Sequence, residues 1–408
     1  MMPRSILFSL TACASLGSSC TDTTPDLGSD AAVDSDLDDS STGGMEDSPT
    51  GPVLAVCSLP TTEPSRLAIV TSDNATGAVG LADVATRTLQ NDLALSDTDS
   101  VPFVHNDRVY VLHRFMLDYV DVLAADDLRR LGQFALNPAP TGSLNPHAIA
   151  FDPRGVAYVS LFGAPEVRVI DVSNPAAVAQ FASIDMTSVA DPDGNPELGL
   201  AVACGDYLWV AASRLDPDWQ PVDHTRLVAI DTTTRTVLPA ADGVTPGSLI
   251  LGGRGVRKLR LDPRDPSGTT LLVLNTGLER VDLVTGDVSW VISDATFEAA
   301  GLAGYQLSQF DVAADGRVYF SAANADWTGF SIWRASLTAA GADLTKVVSG
   351  LDSVTGAFEV VGNDVWFLDT SAEGSGVRIF NLAVDPAVEV TTTPMSTGLP
   401  PYELVALP

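Results

Sequence analysis

The sequence predicts an all-β fold: a seven-bladed β-propeller of four-stranded antiparallel blades, closed by a C-terminal strand that joins the first blade. Three observations carry this. From about Arg66 onward, short apolar runs alternate with period two and are broken by Gly, Asp, Asn and Pro, which is strand-and-turn chemistry. The runs recur in groups of four at roughly the forty-to-forty-five-residue spacing of a propeller blade. The first group lacks one strand, and an unmatched strand stands at the very end of the chain.

Taken in order, residues 66–95 supply three strands of blade 1 (RLAIVTS, VGLADVA, TLQNDLAL), and YELVALP at 402–408 supplies the fourth. Closing the ring this way removes an exposed sheet edge. Blade 2 reads VPFVH, VYVLHR, YVDVLA, LGQFAL. Blade 3 is the clearest unit, with HAIAFD, the turn Pro153-Arg154-Gly155, then VAYVSL, EVRVIDV and AVAQFASI. Blade 4 spans 198–238, blade 5 256–292, blade 6 306–348 and blade 7 355–393. Trp209, Trp290 and Trp366 fall in these runs and are expected to pack between blades.

Ahead of the repeats, residues 1–19 have one positive residue (Arg4), a short apolar stretch and then small residues up to Cys20, the pattern of an export signal. Residues 20–52 are Asp, Ser, Thr, Gly and Pro with few aliphatics. They cannot bury enough apolar area to offset their ordering entropy and are expected to form an acidic, self-repelling tether. The propeller then occupies 53–408. The formal charge of −30 divides accordingly: residues 1–50 hold nine acids and one Arg, so −8, leaving −22 for the rest. With only two lysines, Lys258 and Lys346, the chain has no cationic surface for nucleic acid.

The phrase from Asn145 to Ser160, NPHAIAFDPRGVAYVS, followed by Val169-Ile170-Asp171, resembles YVTN/NHL-type seven-bladed β-propellers. Residues 185–231 resemble uncharacterised bacterial lipoprotein propellers of that group. A signal ending in small residues and Cys likewise resembles a lipoprotein signal. Cys20 gives a normal signal length and is the expected lipidation site; Cys13, after Leu10-Thr11-Ala12, fits the motif by residue type and is the alternative. The resemblance implies an exported protein, lipid-anchored in the cell envelope at the outer membrane, with the periplasmic or surface side left open. Its implied partners are that membrane, through the lipid only, and a small ligand or envelope protein. A monomer is expected.

A propeller hosts enzymes, binders and scaffolds alike, so function rests on a site. Loops entering each inner strand, and loops joining second and third strands, share one face. On that face fall Arg114, His147, Arg214, Asp216, Trp219, His224, Asn324 and Trp327, the expected ligand-binding residues. Asp191, Asp193, Asn195 and Glu197 in D-P-D-G-N-P-E offer alternate oxygens that suit Ca²⁺, though Asp and Asn equally cap turns; no other cofactor is expected. Cys57 and Cys204 form an even pair in an exported chain and suggest a disulfide. No nucleophile elbow, Walker loop or metalloprotease helix occurs, and Gly252-Gly253-Arg254-Gly255 reads as a turn. Three functions remain open: a non-enzymatic binding module at the channel, a metal-dependent lyase or hydrolase there with His147 moving a proton, and an envelope scaffold.

Overall fold

A computed structural model describes residues 63–408 except 138–141, 241–246, 314, 339–340 and 372–373. The expected signal, Cys13, Cys20, the tether and Cys57 lie outside the described residues.

The strands form seven antiparallel sheets. In blade 1 the order from the channel outward is Pro401–Leu407, Arg66–Ser72, Gly77–Asp83 and Thr88–Ser96. The C-terminal strand therefore supplies the inner strand of the first blade, antiparallel to Arg66–Thr71. The other inner strands are Ser100–His105, Pro146–Phe151, Leu198–Cys204, Lys258–Leu261, Gln306–Val312 and Phe358–Val361, for blades 2 to 7. Blade 4 carries one addition: Leu249–Ile250 pairs with its third strand, at Leu227 and Arg226.

Period-two alternation explains how the ring closes. Successive side chains of a strand point to opposite sheet faces, and in a propeller each face meets a different neighbour. Leu67 and Ile69 pack toward blade 7 with Trp366 and Leu368, while Ala68 and Val70 pack toward blade 2 with Val109 and Val111. In blade 5, Leu271 and Val273 face blade 4, and Leu272 and Leu274 face blade 6. Second strands are thus buried on both faces, which is why they read as unbroken apolar runs. Seven apolar clusters result, one at each junction between successive blades. Trp209 and Trp366 are fully buried in two of them. Trp290 departs from expectation: it sits on blade 5's outer strand, 42% exposed, because that strand has no neighbour beyond it.

Among the described residues the single α-helix is Asp294–Ala299, capped by Ser293, and it packs Phe297 into the junction of blades 5 and 6. No helix of the described residues is long and apolar enough to cross a membrane.

Candidate functional site

Each inner strand starts at the same face and runs away from it, so loops entering inner strands and loops leaving second strands meet around one channel mouth. Asp118 builds part of it. Its two carboxylate oxygens accept from the backbone N–H groups of Leu144 (2.8 Å) and Asn145 (2.9 Å), fixing the segment that enters blade 3. That segment delivers His147, whose ring stacks on Phe162 at 4.4 Å. Phe162 in turn stacks on Trp219 at 5.9 Å and 9° between planes. Burial, followed by the charge of Arg114, holds His147 well below its usual pKa, so the imidazole is neutral.

Arg114, at the end of blade 2's second strand, donates through Nε to Asp99 Oδ1 (2.9 Å) and through Nη2 to Tyr402 Oη (3.0 Å). Burial alone would depress its pKa, but Asp99, Tyr402 and Glu403 outweigh that and raise it. Glu403, next along blade 1's inner strand, is pushed up to about 7 by burial, against the pull of Arg114 and of Lys258 from blade 5. Lys258 is lowered by burial despite Glu359 and Glu403. Its Nζ lies 3.9 Å from Glu359 Oε2, and Arg260 Nη1 lies 3.8 Å from Glu359 Oε1. Arg260 also makes a close ion pair with Asp311. Both members of the Glu403–Lys258 pair move toward neutrality, because taking either charge out of water costs more than the partner returns.

The sign for stability follows. A carboxyl whose pKa rises from about 4.5 unfolded to about 7 folded binds more protons in the folded state between those values. Its contribution is complete below pH 4.5 and is lost as pH rises through 7. Glu403→Gln is expected to flatten the fall in melting temperature over that window and to raise stability near pH 8 by about 1–3 kcal/mol. Parallel pH curves for the two proteins would refute the assignment. Glu197, also pushed up to about 7 by burial, retains part of the slope.

The other sequence-derived residues distribute as follows. Arg214 is buried and pairs with Asp223 at 2.7 Å. Asp216 Oδ1 accepts from the N–H groups of Asp218 and Gln220, closing its own turn. Asn324 caps the turn to Thr328 and Gly329. Trp219 and Trp327 both adopt left-handed backbone, φ 63° and 59°, a conformation costly for bulky residues and concentrated at functional loops. His224 does not join the mouth. It is exposed and lines a 240 Å³ cavity with Ile250, Gly252 and Trp290, away from the channel between blades 4 and 5.

In D-P-D-G-N-P-E, Asp191 Oδ1 accepts from Asp193 N–H, Asp193 Oδ1 from Asn195 N–H, and Glu197 Oε2 from Leu215 N–H. Asp191 Oδ2 and Asn195 Oδ1 are buried without partners. Among the described residues no three His, Cys, Asp or Glu side chains are arranged to hold a metal ion. The Gly252–Gly255 turn is satisfied internally, with the Gly252 and Gly253 N–H groups donating to buried Glu279. Cys204 is buried at the end of blade 4's inner strand.

A serine–histidine–aspartate line occurs in blade 2: His113 Nδ1 is 2.9 Å from Ser100 Oγ and Nε2 is 3.2 Å from Asp121 Oδ2. Ser100 and His113 have no exposure, and Ser100 Oγ donates to Asp97 O. The line ties three strands together and no substrate reaches it. Sequence reasoning overlooked Asp99, Arg257, Lys258, Glu359, Tyr402 and Glu403. The available signal was charge inside inner strands, as in KLRL, FEVV and PYELVAL, against the uncharged inner strands of blades 3 and 4.

No family model matches the sequence, and a search of curated proteins finds no relative. Solved structures similar in fold include the periplasmic gluconolactonase of Pseudomonas aeruginosa (16% identity, TM-score 0.57, 84% of this chain and 99% of that one). A protein from Lactobacillus plantarum is 14% identical, with TM-score 0.55 over 85% of this chain and 100% of that one. A functionally unknown protein from Desulfotomaculum acetoxidans is 11% identical, with TM-score 0.53 over 83% of this chain and 99% of that one. At these identities the likeness is one of fold: this chain is a seven-bladed β-propeller.

Proposed function

We propose that this propeller is a non-enzymatic binding module that takes a small polar ligand at the channel mouth. One observation supports it above the rest. Arg114, His147, Lys258, Glu359 and Glu403 come from blades 2, 3, 5, 7 and 1, yet act on one another across the channel. Burying charges of both signs costs stability, and a packed apolar plug would cost none. In the test, the purified protein is titrated with D-gluconate by calorimetry. Binding that is lost in Arg114→Ala supports the mouth, and binding that survives it places the ligand elsewhere.

A second reading has its own observation. A carboxyl poised near neutrality beside two cations is suited to general acid–base work, and Glu403 is one. The Pseudomonas aeruginosa structure is titled a gluconolactonase. Hydrolysis of D-glucono-1,5-lactone that disappears in Glu403→Gln would replace binding by catalysis.

The same proposal holds the protein in the cell envelope through a lipid on Cys20, with Cys13 the alternative, as in YVTN/NHL-type lipoproteins, and bridges Cys57 to Cys204. Intact mass of the membrane fraction reads the lipid. Thiol labelling of unreduced, denatured protein reads the bridge, and labelling at both cysteines would end it.

A further inference from the structure

We propose that the mouth is built for a small anion bearing hydroxyl groups, a carboxylate or a phosphate monoester, with Arg257 as its counter-charge. This rests on the channel mouth being the binding site. Arg257 stands immediately before the inner strand of blade 5, and its N–H donates to Leu274 O at 2.8 Å. Its side chain crosses to blade 6, where the guanidinium donates to Leu307 O and, at 3.5 Å, to Gln306 Oε1. Both acceptors are neutral.

Other partly or fully buried guanidiniums around the ring carry a carboxylate: Arg114 has Asp99, Arg214 has Asp223 and Arg260 has Asp311. Among the described residues Arg257 has no carboxylate within ion-pair distance, in a chain with 52 acids to 22 bases. Burial lowers its pKa and no neighbouring carboxylate restores it. A partly buried cation without counter-charge is costly, and a ligand anion would offset that cost.

Two further features define what surrounds the charge. The Arg257 guanidinium carbon lies over the Trp327 ring, 5.8 Å from its centroid. Trp327 keeps left-handed backbone and is braced edge-on by Phe330 at 6.0 Å. The guanidinium N–H groups that do not donate to Leu307 or Gln306 are left for a ligand oxyanion. Beyond Gln306 and Leu307 on the same strand, Ser308 Oγ and Gln309 Oε1 are buried without partners. Ser308 stands where the register to blade 6's second strand shifts, out of the regular ladder. One hydroxyl and one carbonyl oxygen left unpaired suit ligand hydroxyls.

The test titrates D-gluconate, D-glucose 6-phosphate and, as the uncharged match, D-glucitol into wild type, Arg257→Gln and Glu403→Gln. One of the two anions is expected to bind at least tenfold more tightly than D-glucitol, and the tighter one identifies the anionic group. Arg257→Gln is expected to bring that ratio down to about one, with a melting temperature within a few degrees of wild type showing that the variant is folded. An unchanged ratio in Arg257→Gln overturns the assignment. Equal binding of all three that is lost in Glu403→Gln overturns the anion while leaving the mouth as a binding site. No binding of any of them to wild type overturns both.

Discussion

Deletion of residues 400–408 is expected to abolish cooperative folding. The segment Pro401–Leu407 is the inner strand of blade 1, and its removal strips one side of the Arg66–Thr71 ladder. It also removes Leu404 from the junction of blades 7 and 1 and Leu407 from that of blades 1 and 2. Each buried Leu is worth about 2–5 kcal/mol, and each ladder hydrogen bond about 0.5–1.5 kcal/mol. Together these match the whole stability of a typical domain, about 5–15 kcal/mol. The bared edge of blade 1 would also invite association with other chains. Leu407→Ala, which keeps the strand, is expected to unfold cooperatively at lower denaturant. A truncated chain with the wild-type unfolding midpoint would show that the ring is not held by this closure.

Asp311→Ala is expected to cost about 3–5 kcal/mol, the range for stripping one partner from a buried ion pair. Asp311 has no exposure. Its Oδ1 accepts from Val312 N–H at 2.6 Å, its Oδ2 from Val360 N–H at 2.8 Å, and it pairs closely with Arg260. One carboxylate therefore joins blades 5, 6 and 7 around the channel. Alanine would leave a guanidinium and two amides without their acceptor. Asp311→Asn keeps one acceptor and is expected to cost less. Replacing Arg260 and Asp311 together by Met and Leu is expected to recover much of the loss, because the desolvation of both charges is then avoided. Urea melts of the four proteins decide this. A single Asp311→Ala variant within about 0.5 kcal/mol of wild type would mean the pair contributes nothing.

The blades were legible in the sequence because second strands are buried on both faces. YLWVAA and TLLVL announce themselves as apolar runs, and the missing fourth strand of the first group has no place to go except the last residues of the chain. Leu249–Ile250 was not legible, because two residues carry no period. Trp290 was misjudged because its strand alternates like the others, and only the absence of a neighbour outside it exposes the ring. His147, Arg114 and Trp327 lie on the face that their loops imply. His224 was on the right loop but turned to a cavity between blades 4 and 5, a choice of direction that spacing does not encode. The charged inner-strand residues were missed for a physical reason. Lys258, Glu359 and Glu403 are far apart in sequence and meet only when the ring closes, so their pairing is a property of the circle.

The most direct test is a crystal structure of the protein soaked with D-gluconate. The carboxylate is expected against Arg257, between the inner strands of blades 5 and 6, with a hydroxyl near Ser308. Ligand density on a blade flank or in the cavity beside His224, with the channel mouth empty, would contradict the account.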